Sequence, residues 1–116
     1  MKSRNRGILL AAITLVILPT AALPASGGSK LSAWCDSSAH GASSGRGDYR
    51  RLVGYVQGAT DAMIDHQEAC PPTDAKVEHG VDIVCRYVAN NRQLWSASKY
   101  LLTKNALAQA FPCSNR

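Results

Sequence analysis

The stretch Asp48-Tyr49-Arg50-Arg51-Leu52-Val53-Gly54-Tyr55-Val56-Gln57-Gly58-Ala59-Thr60-Asp61-Ala62-Met63 decides the fold of this 116-residue chain. Tyr49, Leu52, Val53, Val56, Ala59 and Met63 recur at spacings of three and four, which gathers apolar side chains on one face of an α-helix. Asp48 stands where an N-cap is expected, its carboxylate able to accept from the backbone N–H groups of the first turn. Gly54 and Gly58 lie one turn apart on this helix. Each costs about 1 kcal/mol relative to alanine in a helix interior, so close approach of a second helix backbone is expected there. Cys70-Pro71-Pro72 ends the segment, because the residue before a proline is pushed out of the helical region.

The same periodicity continues toward the C-terminus. Thr73 is the expected cap of a second long helix whose inner face carries Val77, Val81, Val84, Cys85 and Val88. Asn90-Asn91 stops it, and the short gap that follows predicts an antiparallel hairpin with a third helix over 93–110. In that third helix Leu94, Ala97, Leu101, Ala108 and Phe111 form the expected buried stripe, with Leu102 and Ala106 beside it, and Pro112 ends it. Toward the N-terminus, residues 26–47 read as a mobile segment: a short helical turn at Lys30–Asp36, then a Gly/Ser-rich loop containing His40. No stretch alternates with period two and no repeat is visible. The expected fold is all-α: a small helical bundle of three main helices plus a short N-terminal one, with its core in 48–113.

Residues 1–25 have the layout of a secretory signal peptide. Lys2, Arg4 and Arg6 precede an uncharged run from Ile8 to Leu18, and Ala21, Ala22 and Ala25 offer cleavage points. That run falls short of the about 20 residues a membrane span needs, so no membrane association is expected after cleavage. Trp34 before Cys35 argues against a lipid-attachment site. The charge of +5 is largely a property of the leader: three of the 13 basic residues lie in it, leaving 10 against 8 acidic. No run of Lys or Arg remains that would point to nucleic acid. Export to an oxidising compartment would also give the four cysteines, Cys35, Cys70, Cys85 and Cys113, a common reading as a disulfide framework. Four cysteines allow three connectivities.

Two stretches carry a family resemblance: Gly54-Tyr55-Val56-Gln57-Gly58-Ala59-Thr60-Asp61 followed by Cys70-Pro71, and Ala106-Leu107 followed by Ala110-Phe111-Pro112-Cys113. In this order behind an export signal they resemble the Rap/Tai immunity proteins associated with type VI secretion, over roughly residues 31 to 113. The motif positions are Gly54, Tyr55, Gly58, Asp61, Pro71, Phe111 and Pro112. Many family members have a cysteine just ahead of the Gly-Tyr pair, where this chain has Leu52-Val53; here a cysteine occurs at Cys85 instead. Cys70 and Cys113 match the family's positions, so the resemblance implies a Cys70–Cys113 bridge and leaves Cys35 to pair with Cys85. It further implies a periplasmic protein that binds and sterically neutralises a secreted effector, such as a peptidoglycan amidase. Relatives are also thought to act as homodimers.

Other readings compete with this one. Asp61, Asp65 and His66 on the first long helix could form an acid–base or metal site of a small hydrolase, but a solvated polar face explains them as simply. His79 and Asp82 are likewise an expected exposed pair, and Arg46-Gly47-Asp48 is too short a match to an adhesion motif to carry weight. No Cys-x-x-Cys occurs, so no cysteine is expected to be catalytic. No enzyme activity, cofactor or metal is expected. Tyr55 is expected to fill the core with its hydroxyl at the edge. Arg92, Trp95, Lys99 and Tyr100 are candidate interface residues, since exposed aromatics beside cations make good anchors. A periplasmic structural or chaperone-like helical protein without a toxin partner is the alternative function.

Overall fold

The computed structural model describes residues 11–17, 26–39 and 46–114. Of the leader assigned to 1–25, only 11–17 falls among them, exposed and without helix or strand. The expected loop residues 40–45, His40 included, lie outside the described residues. Four α-helices make the body: α1 (Gly27–Ala39), α2 (Arg46–Asp65), α3 (Val77–Asn90) and α4 (Lys99–Ala110), with a 3-10 turn at Arg92–Leu94. No strand occurs among the described residues, so the all-α expectation holds.

The core is where the four apolar stripes meet. Leu52, Val56, Ala59 and Met63 come from α2, Val81, Val84 and Val88 from α3, and Leu102, Ala106 and Leu107 from α4. Leu31 of α1 is fully buried among them. Burying a side chain of this size contributes roughly 1.5–3 kcal/mol, so α1 is an integral part of the body. Ser26 to Lys30, expected to be mobile, are docked on the segment before α4. The N–H of Gly28 donates to the Ala97 carbonyl (2.9 Å) and that of Ser29 to the Trp95 carbonyl (3.2 Å). The Ser26 hydroxyl also donates to Trp95 O. Donors that a helix start leaves unpaired are thereby satisfied by another element. Gly28 permits this approach: a Cβ there would sit 2.6 Å from Trp95 O and 2.7 Å from Trp95 Cα.

That docking also corrects the third long helix. It begins at Lys99, not near Gln93, because the Trp95 and Ala97 carbonyls are committed to α1 and the Trp95 indole N–H donates to the Val88 carbonyl (2.8 Å). Ser98 then caps α4, accepting from the Leu101 N–H at 3.1 Å. The buried face turns accordingly to Leu102, Thr103, Ala106 and Leu107, while Leu101, expected inside, is 43% exposed. Helix α2 starts two residues before Asp48, which pairs with Arg51 at 3.2 Å within the first turn. Tyr49, assigned to its inner face, is exposed. Thr73 does not cap α3; the chain turns through Pro72–Ala75 and the helix starts at Val77, with Lys76 at the N-cap.

Cys35 joins Cys85 and Cys70 joins Cys113, the pairing that the family resemblance implied. The first holds α1 to α3; the second holds the end of the chain to the loop after α2. They close spans of 50 and 43 residues, worth about 4 kcal/mol each on the chain-entropy model, less when the two are combined.

Candidate functional site

Helix α2 ends without a glycine. Gln67 takes the left-handed conformation (φ 56°) that usually belongs to glycine after a helix. Its N–H donates to Ile64 O (3.0 Å), and that of Glu68 to Met63 O (2.8 Å), closing the helix end. The chain then crosses to α3 through Cys70, Pro71 and Pro72. Against this crossing lies the C-terminal tail, tied by Cys70–Cys113 and by the Cys70 N–H donating to Phe111 O at 2.8 Å. Between the end of α2, the crossing, the start of α3 and the tail runs an open groove of about 1030 Å3. Ile64, Pro71 and Phe111 give it apolar surface, Asp61 and Lys76 give it charge, and the bridge fixes one wall. Phe111 is steadied by an edge contact with the His79 ring at 6.0 Å.

Charge is distributed very unevenly about this groove. Six of the eight acidic residues (Asp61, Asp65, Glu68, Asp74, Glu78 and Asp82) fall within 61–82, where Lys76 is the only Lys or Arg. The hairpin of α2 and α3 brings them to one end of the bundle. Lys104 neutralises Glu68 at 3.1 Å. The other five have no cation at ion-pair distance among the described residues. The start of α2 and the end of α3 carry Arg46, Arg50, Arg51 and Arg86 instead. The body is therefore polar end to end, although its net charge is small.

The motif residues separate into three places. Asp61, Pro71 and Phe111 line the groove, together with Cys70 and Cys113; Pro112 is exposed next to it. Gly54 and Gly58 lie on the exposed side of α2, and a Cβ at either would meet nothing within 4 Å. The expectation that a second helix of this chain packs on them is therefore overturned. The close approaches are made by Gly27 and Gly28 of α1. Tyr55, half-buried, meets the Trp34 ring edge-on at 6.2 Å. Burial, and then the neighbouring Tyr100 phenol, push the Tyr55 phenol above its ordinary value, and the nearby Thr103 hydroxyl offsets only part of this. Asp61, Asp65 and His66 are all exposed, and no group of three or more candidate metal ligands occurs among the described residues.

A comparison with protein families decides the chain's relationship. The model of the Rap1a immunity proteins matches residues 27–113, from the first residue of α1 to the last cysteine. The chain belongs to the Rap1a immunity protein family. No curated protein matches it, and no solved structure does. Membership points to an immunity role in type VI secretion and implies a partner effector protein. Members are typically exported and generally non-enzymatic. No described helix of this Rap1a family member is long and apolar enough to cross a membrane.

The four candidate interface residues of this family member are placed away from the groove's lining. Lys99 sets its ammonium over the Trp34 ring (4.7 Å) and the Tyr55 ring (5.4 Å). Arg92 lies over Trp95 at 5.3 Å, and Trp95 itself is half-buried with its N–H bonded to Val88 O. Tyr100 is 42% exposed, near Glu68. Cation–π contacts of this kind hold Lys99 and Arg92 to their own chain. Ile64, Gln67 and Lys76 of the groove were not singled out by spacing or motif. The bias of acidic residues toward 61–82 is a signal in the sequence that points to them.

Proposed function

We propose that this protein acts in the periplasm as an immunity protein, binding a type VI secretion effector such as a peptidoglycan amidase and blocking it sterically. The observation that carries the reading is the family match, which spans all four helices and both bridges. The physical form agrees with the task. A small body braced by two crosslinks loses little conformational freedom on docking, so more of the contact energy is expressed as affinity. Steric blocking needs no catalytic group. The possibility of a homodimer rests on the family resemblance alone.

The test takes a type VI effector amidase from a strain in which such an enzyme is found encoded beside this gene and directs it to the periplasm of a susceptible strain. Co-expression of the full chain is expected to prevent lysis, and the exported, oxidised protein to bind the purified enzyme and inhibit it. Removal of residues 1–25 is expected to abolish protection without abolishing binding of oxidised protein in vitro. Protection that persists without the leader would refute periplasmic action. Absence of both binding and protection would refute immunity and favour a helical protein with a structural or chaperone-like role.

A further inference from the structure

The acidic end of the bundle is arranged against the stability of the free protein. Asp61 and Asp65 are separated by one helical turn, a spacing at which like charges repel. Both stand near the C-terminus of α2, where the helix dipole disfavours negative charge, and α2 has no basic residue in its last turn. Across the groove the lining carries Lys76. Asp74 and Glu78, which flank it in sequence just outside the lining, outnumber it and add to the same negative field, and at the start of α3 they suit the dipole of their own helix. Beside these carboxylates, Ile64 is 46% exposed at the groove. Apolar surface bordered by unpaired carboxylates is suited to a segment that brings both a cation and an apolar stem.

The geometry points to a cationic segment of the partner protein as the occupant of this groove, with an Arg or Lys side chain meeting Asp61 on the lining, a second reaching Asp65 one turn beyond it at the rim, and their alkyl stems covering Ile64 and Phe111. Arginine and lysine stems bury readily along apolar surface while the charged head stays hydrated. Charge complementarity of this kind chiefly accelerates encounter and selects the partner. The inference rests on the immunity reading and specifies the docking chemistry within it.

Acetyl-tetra-arginine amide, titrated into the isotope-labelled, exported and oxidised protein and followed by NMR, tests the assignment. Amide shifts are expected at Asp61, Ile64, Gln67, Val77 and Phe111, weakening at higher salt and absent with the tetra-glutamine analogue. Replacing Asp61 and Asp65 by Asn is expected to weaken binding about fivefold, as for the loss of two exposed ion pairs. The same variant is expected to melt no lower than the wild type, since two unfavourable charges are removed. Shifts spread evenly over both ends of the bundle, or binding unchanged in the variant, would overturn the proposal, as would a clear loss of stability in the variant. Self-association abolished by the substitution would assign the groove to the basic end of a second copy instead. A protein that protects cells yet shows no shift at the groove would keep its immunity role and lose this docking site.

Discussion

Replacing Gly28 by Ala should undo the docking of α1. The new Cβ would lie 2.6 Å from the Trp95 carbonyl oxygen and 2.7 Å from both Trp95 Cα and Leu102 Cδ1, where ordinary contact begins at 3.4 Å. Two of the three obstacles are backbone atoms, so a rotamer change cannot relieve the overlap. Helix α1 must back away, weakening the 2.9 Å bond from Gly28 N–H to Ala97 O and loosening the site of Leu31. Overpacking costs about 1–3 kcal/mol, and a weakened hydrogen bond adds about 1 kcal/mol. A net loss of about 2–4 kcal/mol is expected, or a fall in Tm of roughly 10–20 °C for a body of this size. Gly54→Ala and Gly58→Ala should do the reverse. Nothing stands within 4 Å of either added methyl, so each variant should gain about 1 kcal/mol from helix propensity. Urea unfolding of the oxidised proteins, followed by far-UV circular dichroism, measures all three. A Gly28→Ala protein as stable as the wild type would refute the account of α1, and destabilised Gly54 or Gly58 variants would refute the exposed placement of that face.

Gln67→Gly should stabilise by about 0.5–1 kcal/mol, because glycine holds the left-handed conformation without a Cβ penalty; chemical denaturation reads it, and a loss would mean the Gln67 side chain supports the turn. Thr103→Val should leave stability within about 1 kcal/mol of the wild type, since the fully buried Thr103 hydroxyl has only the Tyr55 phenol beside it and no hydrogen bond of ordinary geometry among the described residues; a larger loss in chemical denaturation would mean that the Tyr55 contact holds the core. Stability should also fall in alkali through Tyr55, whose proton is held more tightly in the folded state. That contribution is complete below the unfolded phenol value near 10 and is lost as pH rises through the higher folded value. Tyr55→Phe should flatten this part of the pH profile, and a profile unchanged by the substitution would refute it.

Helix α2 was legible in the sequence because its buried residues, Leu52 to Met63, repeat with the helical period and little else competes. The segment before α4 was not. Residues 93–98 read as helix locally, yet the Trp95 and Ala97 carbonyls are taken by the start of α1, nearly 70 residues earlier, and periodicity carries no record of such a contact. Glycines show the same limit. Gly54 and Gly58 lie in a helix pattern that suggested packing, whereas the glycines that packing requires are Gly27 and Gly28, in a stretch that looked like a linker. What distinguishes them is the opposing surface. The groove was half-legible: its motif residues could be named, but the acidic residues around it, Asp61 on the lining and Asp65, Asp74 and Glu78 beside it, are sequence neighbours only across a turn, and folding makes them one field.

The two disulfides alternate along the chain, Cys35 with Cys85 and Cys70 with Cys113, so the segment between Cys70 and Cys85 belongs to both rings. A protease that cuts the backbone once anywhere between Cys35 and Cys113 leaves a single covalent molecule. A second cut, made in a different one of the three intervals between successive cysteines, still releases nothing; only after all three intervals are cut do two separate pieces form. Nested or consecutive bridges would give way sooner. A protein exposed to hydrolytic enzymes outside a reducing interior thus keeps its helices tethered after damage that would divide a chain with the same number of crosslinks in another order.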